Sequence, residues 1–217
     1  MSGNVFEQLI TYYQSNASYL WTLFINHLLM SVYGVLFATI VGIPLGILLS
    51  RYQQLSWFVM TIANVVQTVP VIAMLSILML QMGLGTTTVV VAVFLYALLP
   101  IIKNTYTGII GVDHNIKDAG KGMGMTQNQV LRMIELPLAL SVMISGIRIA
   151  LVVAIGVVAV GSFIGAPTLG DVVIRGTNAT DGTTFILAGA IPIALIAVGI
   201  DVLLRLLEKK LNASHKI

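Results

Sequence analysis

Side chains that could do chemistry inside an apolar chain are its charges within apolar sequence, and here they are few: Arg148 and Asp201 in long apolar runs, and His27 early in the first run. Ionisable groups at membrane depth relay protons, bind ions or neutralise one another. Asp201 stands four residues before Arg205, the spacing of an ion pair on one helix face, and that pair is its ordinary reading. Arg148 follows Pro137 by eleven residues, about 16 Å along a helix. At that depth it needs a partner or a water-filled cavity, either as a structural anchor or as a gating contact.

Other reactive constellations lack their parts. There is no cysteine, which excludes disulfides, thiol catalysis and cysteine-ligated metals. No lysine is followed by Ser or Thr, so no GxxxxGK[ST] phosphate loop exists and ATP hydrolysis would have to come from another chain. HExxH is absent, and His27, His114 and His215 are scattered over an apolar run, a polar loop and the tail. Neither catalysis, a metal nor a cofactor of its own is expected of this chain.

One polar stretch is patterned more closely than a linker requires: "DAGKGMGMTQNQVLRMIELP", residues 118 to 137. Asp113 is a good N-cap for a helix running through "HNIKDAGKGMG", with Ile116, Ala119, Gly120 and Met123 on one face. Glycines at 122 and 124 allow a sharp reversal. Thr126 then caps a second helix, with Gln129 three residues on able to complete a capping box. Val130, Leu131 and Ile134 form an apolar stripe expected to end at Leu136-Pro137. Each Gly on an exposed helix face costs about 1 kcal/mol against Ala, which makes sense where another backbone must approach. An amphipathic helix lying on lipid headgroups would explain the stripe, but not the small residues.

The elements that must position these residues are set by composition. Of 217 residues 58% are hydrophobic and 9% charged, against about 25% charged in soluble domains, and the mean hydropathy is +0.99. An all-α integral membrane protein follows, since about 20 apolar residues span the hydrocarbon layer as a helix. Apolar segments at Leu20 to Ser50, Trp57 to Leu80, Thr86 to Ile110, Leu136 to Gly165 and Thr184 to Leu207 give about five spans. The first and fourth are long enough for tilt or for a break that would make six. Pro44, Pro70, Pro100 and Pro192 lie inside four of them and are expected to kink rather than bound them. Gly42 with Gly46 and Gly161 with Gly165 have the spacing of close helix contact.

The opening stretch "MSGNVFEQLITYYQSNAS" has no Lys or Arg and does not read as a removable signal peptide, so the first span is expected to act as its own insertion signal. Arg51, Lys103, Lys117, Lys121, Arg132, Arg205, Lys209, Lys210 and Lys216 fall on one side of the spans, and Arg175 alone on the other. The positive-inside rule then places the N-terminus outside and the C-terminus and residues 113–137 in the cytoplasm. The net charge of +3 and pI near 9.3 reflect those retained cations, not a nucleic-acid partner.

Residues 118 to 137 resemble the cytoplasmic "EAA" loop of ABC importer permeases of the binding-protein-dependent type I (MetI-like) family. That pattern is Glu-Ala-Ala, three residues, Gly, nine residues, Ile, one residue, Leu-Pro. Asp118, Ala119, Gly120, Gly124, Ile134, Leu136 and Pro137 occupy its places at matching spacing, with Asp118 replacing Glu and Gly120 replacing the second Ala. The resemblance implies a coupling helix that docks on a separate ATPase subunit and carries ATP-driven closure to the spans.

The likeness runs over nearly the whole chain. "NVVQTVPVIAML", "FLYALLPIIKNTYTGI", "DAGKGMGM" and "IGAPTLGDVVIRGTNATDGT" resemble permeases for the osmoprotectants glycine betaine, carnitine and choline, although "GAPTLG" departs from the Gly-Ala-Gly-Gly-Leu-Gly form frequent there. It implies a single permease domain over 1–217, with its core at about 20–207, in a bacterial cell membrane. Implied partners are two ATP-binding subunits, a second or homologous permease and an extracytoplasmic substrate-binding protein. Methionine or another amino acid is the alternative cargo, and an ATP-independent secondary carrier the alternative class. Tyr33, Phe37, Phe94, Tyr96 and Phe163 are intramembrane aromatics whose faces could receive a quaternary ammonium, though packing is the ordinary role of each. The residues lining the path are left open.

Overall fold

A computed structural model describes residues 4–180 and 182–213, the last three by backbone alone. The first three residues, Asp181, His215 and Lys216 of the readings above lie outside the described residues. The described chain is helical: α1 Val5–Ser15, α2 Ala17–Arg51, α3 Gln53–Thr68, α4 Val71–Met82, α5 Thr86–Ile110, α6 His114–Gly122, α7 Gln127–Val130, α8 Leu136–Val160, α9 Gly170–Thr177 and α10 Thr183–Ala213. A π-turn, Leu131–Glu135, joins α7 to α8, and a 3-10 turn, Gly161–Ile164, follows α8.

Four stretches are long and apolar enough to cross a membrane: Ala17–Arg51, Thr86–Ile110, Gln127–Ile164 and Thr183–Lys210. A fifth is possible if α3 and α4, bent by 98° at their junction, form one broken span. Pro44, Pro100 and Pro192 fall inside α2, α5 and α10 and do not bound them, as expected. Pro70 differs: it ends one helix and starts another, so the Trp57 to Leu80 segment is a broken element and not a straight span.

The break has a local cause and a distant partner. Proline disfavours the helical region for the residue before it, and Val69 is extended at φ −66° and ψ 126°. The carbonyl thus freed must find a donor in an apolar setting. Tyr96 on α5 donates its hydroxyl to the Val69 carbonyl, while Gln67 Nε2 donates to the Tyr96 carbonyl at 2.8 Å.

Helices α2, α5 and α8 carry the largest cluster of buried side chains, including Met30, Ala38, Val93, Ile101, Ala150 and Val158. Small residues set how closely they approach. A Cβ on Gly42 would lie 2.9 Å from Ile101 Cγ2, and one on Gly46 2.6 Å from Thr105 Cβ, so this pair seats α2 against α5. Gly161 meets Val89 in the same way, but Gly165 has φ +78° and open space, so the second expected pair is a contact followed by a turn. His27 is fully buried, and its Nε2 donates to the Ile155 carbonyl at 3.1 Å, tying α2 to α8.

Arg148 finds its partner on α10. Its Nη1 donates to Asp201 Oδ1 at 2.9 Å, and its Nε lies 3.6 Å from Glu208 Oε2. Asp201 also accepts from Arg205 at 2.7 Å, the i,i+4 pair read from spacing, and Ser145 donates to Glu208 at 2.8 Å. Two cations and two carboxylates thus close the α8–α10 seam with no net charge. At the other end of the bundle, Tyr19 donates to Asp171 at 2.5 Å and Arg175 pairs with Asp171 at 2.8 Å, fixing α9 to the start of α2.

Candidate functional site

The residues singled out at 118–137 form one compact element. Asp113 caps α6 by accepting from the Asn115 amide at 2.9 Å. Thr126 and Gln129 form the reciprocal capping box, at 3.4 Å to the Gln129 amide and 2.8 Å from the Thr126 amide to Gln129 Oε1. Both helices are therefore stiff from their first turn.

Between them the reversal is a Schellman cap. The Met125 amide donates to the Gly120 carbonyl at 3.1 Å and the Gly124 amide to that of Lys121 at 2.9 Å. Gly124 occupies the position that must be left-handed, at φ +84°. A Cβ there would meet nothing within 4 Å, so this glycine is required by backbone conformation and not by a close neighbour.

Gly120 is small for another reason. It is the buried residue of α6, and a Cβ on it would lie 2.6 Å from Ile134 Cδ1 and 3.1 Å from Met125 Sδ. Its close neighbours are the loop's own side chains, so Gly120 turns inward while Ile116, Ala119 and Met123 face outward and are exposed. The single face expected for all four divides in two. Asp118 is exposed and pairs with Lys121 at 3.2 Å and His114 at 3.2 Å.

The second helix does not stop at Leu136-Pro137. It continues through the π-turn, closed by the Leu136 amide donating to the Leu131 carbonyl, into α8. Pro137 has no amide to donate and its ring crowds the carbonyl four residues back, which a wider turn just before it relieves. Leu136 packs beside Ile109, Ala139 and Met143. The loop is thus continuous with its span.

Three functional candidates were missed by the sequence reading: Glu135, Arg51 and Lys117. Glu135 is 3% exposed. Its Oε2 accepts from Arg51 Nη2 at the end of α2 at 2.5 Å, and its Oε1 lies 3.6 Å from Lys117 Nζ on α6. Lys117 also donates to the Ile109 carbonyl at the end of α5, at 2.9 Å. The available signal was Glu135 itself, the one acidic residue in the apolar stretch from Val130 to Ile147, since such a charge demands a partner.

Of the intramembrane aromatics, Tyr33, Phe37 and Phe94 line one groove of about 600 Å³ with Val90 and two threonines of α5. Tyr96 is consumed by the Pro70 break and Phe163 is exposed at 61%. Among the described residues no cluster of three or more His, Asp or Glu could hold a metal ion.

Comparison with known proteins identifies the family. The family model described as "Binding-protein-dependent transport system inner membrane component" matches residues 38–213. The choline transport system permease protein OpuBD of Bacillus subtilis is 58% identical over 98% of this chain and 94% of its own length. The glycine betaine/carnitine/choline transport system permease protein OpuCD of the same organism is 59% identical, over 98% and 93%. The carnitine transport permease protein OpuCD of Listeria monocytogenes is 60% identical, over 95% and 92%. Among solved structures, a chain of the inward-facing MetNI methionine ABC transporter matches with TM-score 0.77 at 21% identity, over 88% of this chain and 95% of that one. These matches agree with the fold class and the family expected from the sequence.

Proposed function

Because the chain belongs to the binding-protein-dependent transport system inner membrane components, we propose that it forms the translocation path of an ATP-driven importer for a quaternary ammonium osmoprotectant: choline, glycine betaine or carnitine. One observation carries the choice of cargo. Identity of 58% or more over nearly the full length joins it to permeases named for those three compounds. The methionine transporter shares the fold at 21% identity, which does not extend to its cargo.

In this reading residues 1–217 are one permease domain, with a spanning core at about 20–207. It pairs with a second copy or a homologous permease, so that two chains enclose one path. Two ATP-binding subunits bind the loops at 113–137 in the cytoplasm, and an extracytoplasmic binding protein delivers substrate. Asp118, Ala119, Gly120, Gly124, Ile134, Leu136 and Pro137 make the coupling element, with Ile116, Ala119 and Met123 as the exposed face that seats in the ATPase. ATP is held by the partner subunits, and no phosphate loop occurs in this sequence.

The geometry supports a lever. Caps at both helices, the Schellman reversal and the Ile134–Gly120 packing make the loop one stiff body, and its second helix runs through the π-turn into α8. Closure of the ATPases would move that body and tilt α8 with it, giving alternating access by rigid displacement of packed helices. A mobile loop would absorb the same movement.

The test is uptake into proteoliposomes holding the complete complex with its binding protein. ATP-dependent uptake of labelled choline, glycine betaine or carnitine, with no uptake of methionine, is expected. Methionine uptake would replace the cargo, and uptake without ATP would replace the importer with a secondary carrier.

A further inference from the structure

The buried carboxylate of Glu135 has no place in the seven-position coupling pattern, yet it sits where three spans and the loop meet. Its bond to Arg51 reaches the end of α2. Lys117, 14% exposed at its side chain, approaches its other oxygen and donates to the last turn of α5 through the Ile109 carbonyl. A cation there also complements the negative end of the α5 dipole. Glu135 is itself the last residue of the π-turn that opens α8. No other described contact joins the ends of α2, α5 and α8 to α6 through charged side chains.

We infer that Glu135, with Arg51 and Lys117, is the positioning device that spreads a displacement of the loop over α2, α5 and α8 together. This rests on the coupling role proposed for residues 113–137. Without the ionic triangle, α6 is joined to α8 by the intervening backbone and the Gly120–Ile134 packing alone, and the π-turn, where that helix ladder is already irregular, can absorb the movement. With it, α2 follows through Arg51 and α5 follows through Lys117.

The two arms are unequal. Arg51 is held at 2.5 Å, whereas Lys117 stands at 3.6 Å from the carboxylate while spending a hydrogen bond on Ile109. The Arg51–Glu135 bond is the shorter arm, and Lys117 completes the triangle from α6. Burial makes a cationic partner obligatory, because a carboxylate out of water without a cation is costly.

The natural absence of cysteine makes the test direct. Glu135→Gln is prepared in the complete complex, with spin labels at Tyr52→Cys, beyond the end of α2, and Asn115→Cys on α6. The variant is expected to keep its ATPase subunits and hydrolyse ATP, while substrate imported per ATP falls at least about fivefold, the lower range of a site-to-site coupling. The label separation is expected to stay constant through the ATP cycle in the wild type and to change with ATP in the variant.

Equal uptake per ATP in variant and wild type, or an equally variable separation in both, overturns the inference. Should Glu135→Gln fail to assemble, Arg51→Gln and Lys117→Met decide, since each leaves the carboxylate one cation. Wild-type uptake per ATP in either overturns the inference, and loss in both supports it. Wild-type complex that lacks ATP-driven uptake counts against the proposed function, and the label separations then still judge the triangle.

Discussion

Ile134 Cδ1 lies 2.6 Å from where a Cβ on Gly120 would stand, so the two helices of the loop close on each other through a single missing methyl group. The crowding atom is the far end of a flexible side chain, as is Met125 Sδ at 3.1 Å. Gly120→Ala is therefore expected to retain uptake, with the terminal methyl of Ile134 swinging aside. Gly120→Val adds branched bulk that cannot be accommodated, at a cost of about 1–3 kcal/mol for overpacking. It should insert normally and lose ATPase association, measured by copurification of the subunits. Wild-type association of Gly120→Val would mean that the two helices need not pack.

Gly124 makes a different demand, and the two glycines can be told apart. With φ +84° and nothing within 4 Å of a Cβ, a substitution there meets backbone strain of about 1–2 kcal/mol and no collision. Asn tolerates the left-handed region better than β-branched residues do. Copurification with the ATPase should thus rank Gly124→Asn above Gly124→Val at equal membrane insertion. A ranking by side-chain size alone, with Gly124→Asn as damaging as Gly124→Val, would assign the site to partner contact.

What the sequence made legible was local. The Asp113 cap and the Thr126–Gln129 box are each determined within a few residues, and each is in place. Pro70 was legible as a proline but not as a break, because Pro44, Pro100 and Pro192 sit inside continuous helices. What distinguishes it is a donor on another helix, Tyr96, 27 residues from the Val69 carbonyl that it bonds. Glu135 was passed over for the same reason: its Arg51 partner is 84 residues distant, and no periodicity in one segment connects them.

Arg148 supplies a prediction about stability. It faces Asp201 and Glu208 on α10 at side-chain exposures of 22%, 28% and 23%, so the seam is partly shielded from water. Arg148→Ala leaves Asp201 with Arg205 but strips Glu208 of its cation. A loss of about 1–3 kcal/mol follows, below the cost of breaking a fully buried pair because water still reaches these groups. The detergent-solubilised permease should unfold at lower temperature, and Arg148→Lys should recover part of the difference. An unchanged unfolding temperature with lost uptake would make Arg148 a gating contact instead of an anchor.

Membrane orientation can be read with single cysteines, since the chain has none of its own. Leu84, 72% exposed between Gly83 and Gly85, lies at the junction of α4 and α5, and Asn115 is exposed on α6. They stand at opposite ends of α5, whose 25 residues suffice to cross the hydrocarbon layer. By the positive-inside rule, the excess of Lys and Arg beside residues 113–137 predicts that this end faces the cytoplasm. A membrane-impermeant maleimide added to intact cells should label Leu84→Cys and leave Asn115→Cys untouched until the membrane is opened. The reversed pattern would put the coupling element outside, where no ATPase could reach it, and the proposed importer would fail at its first step.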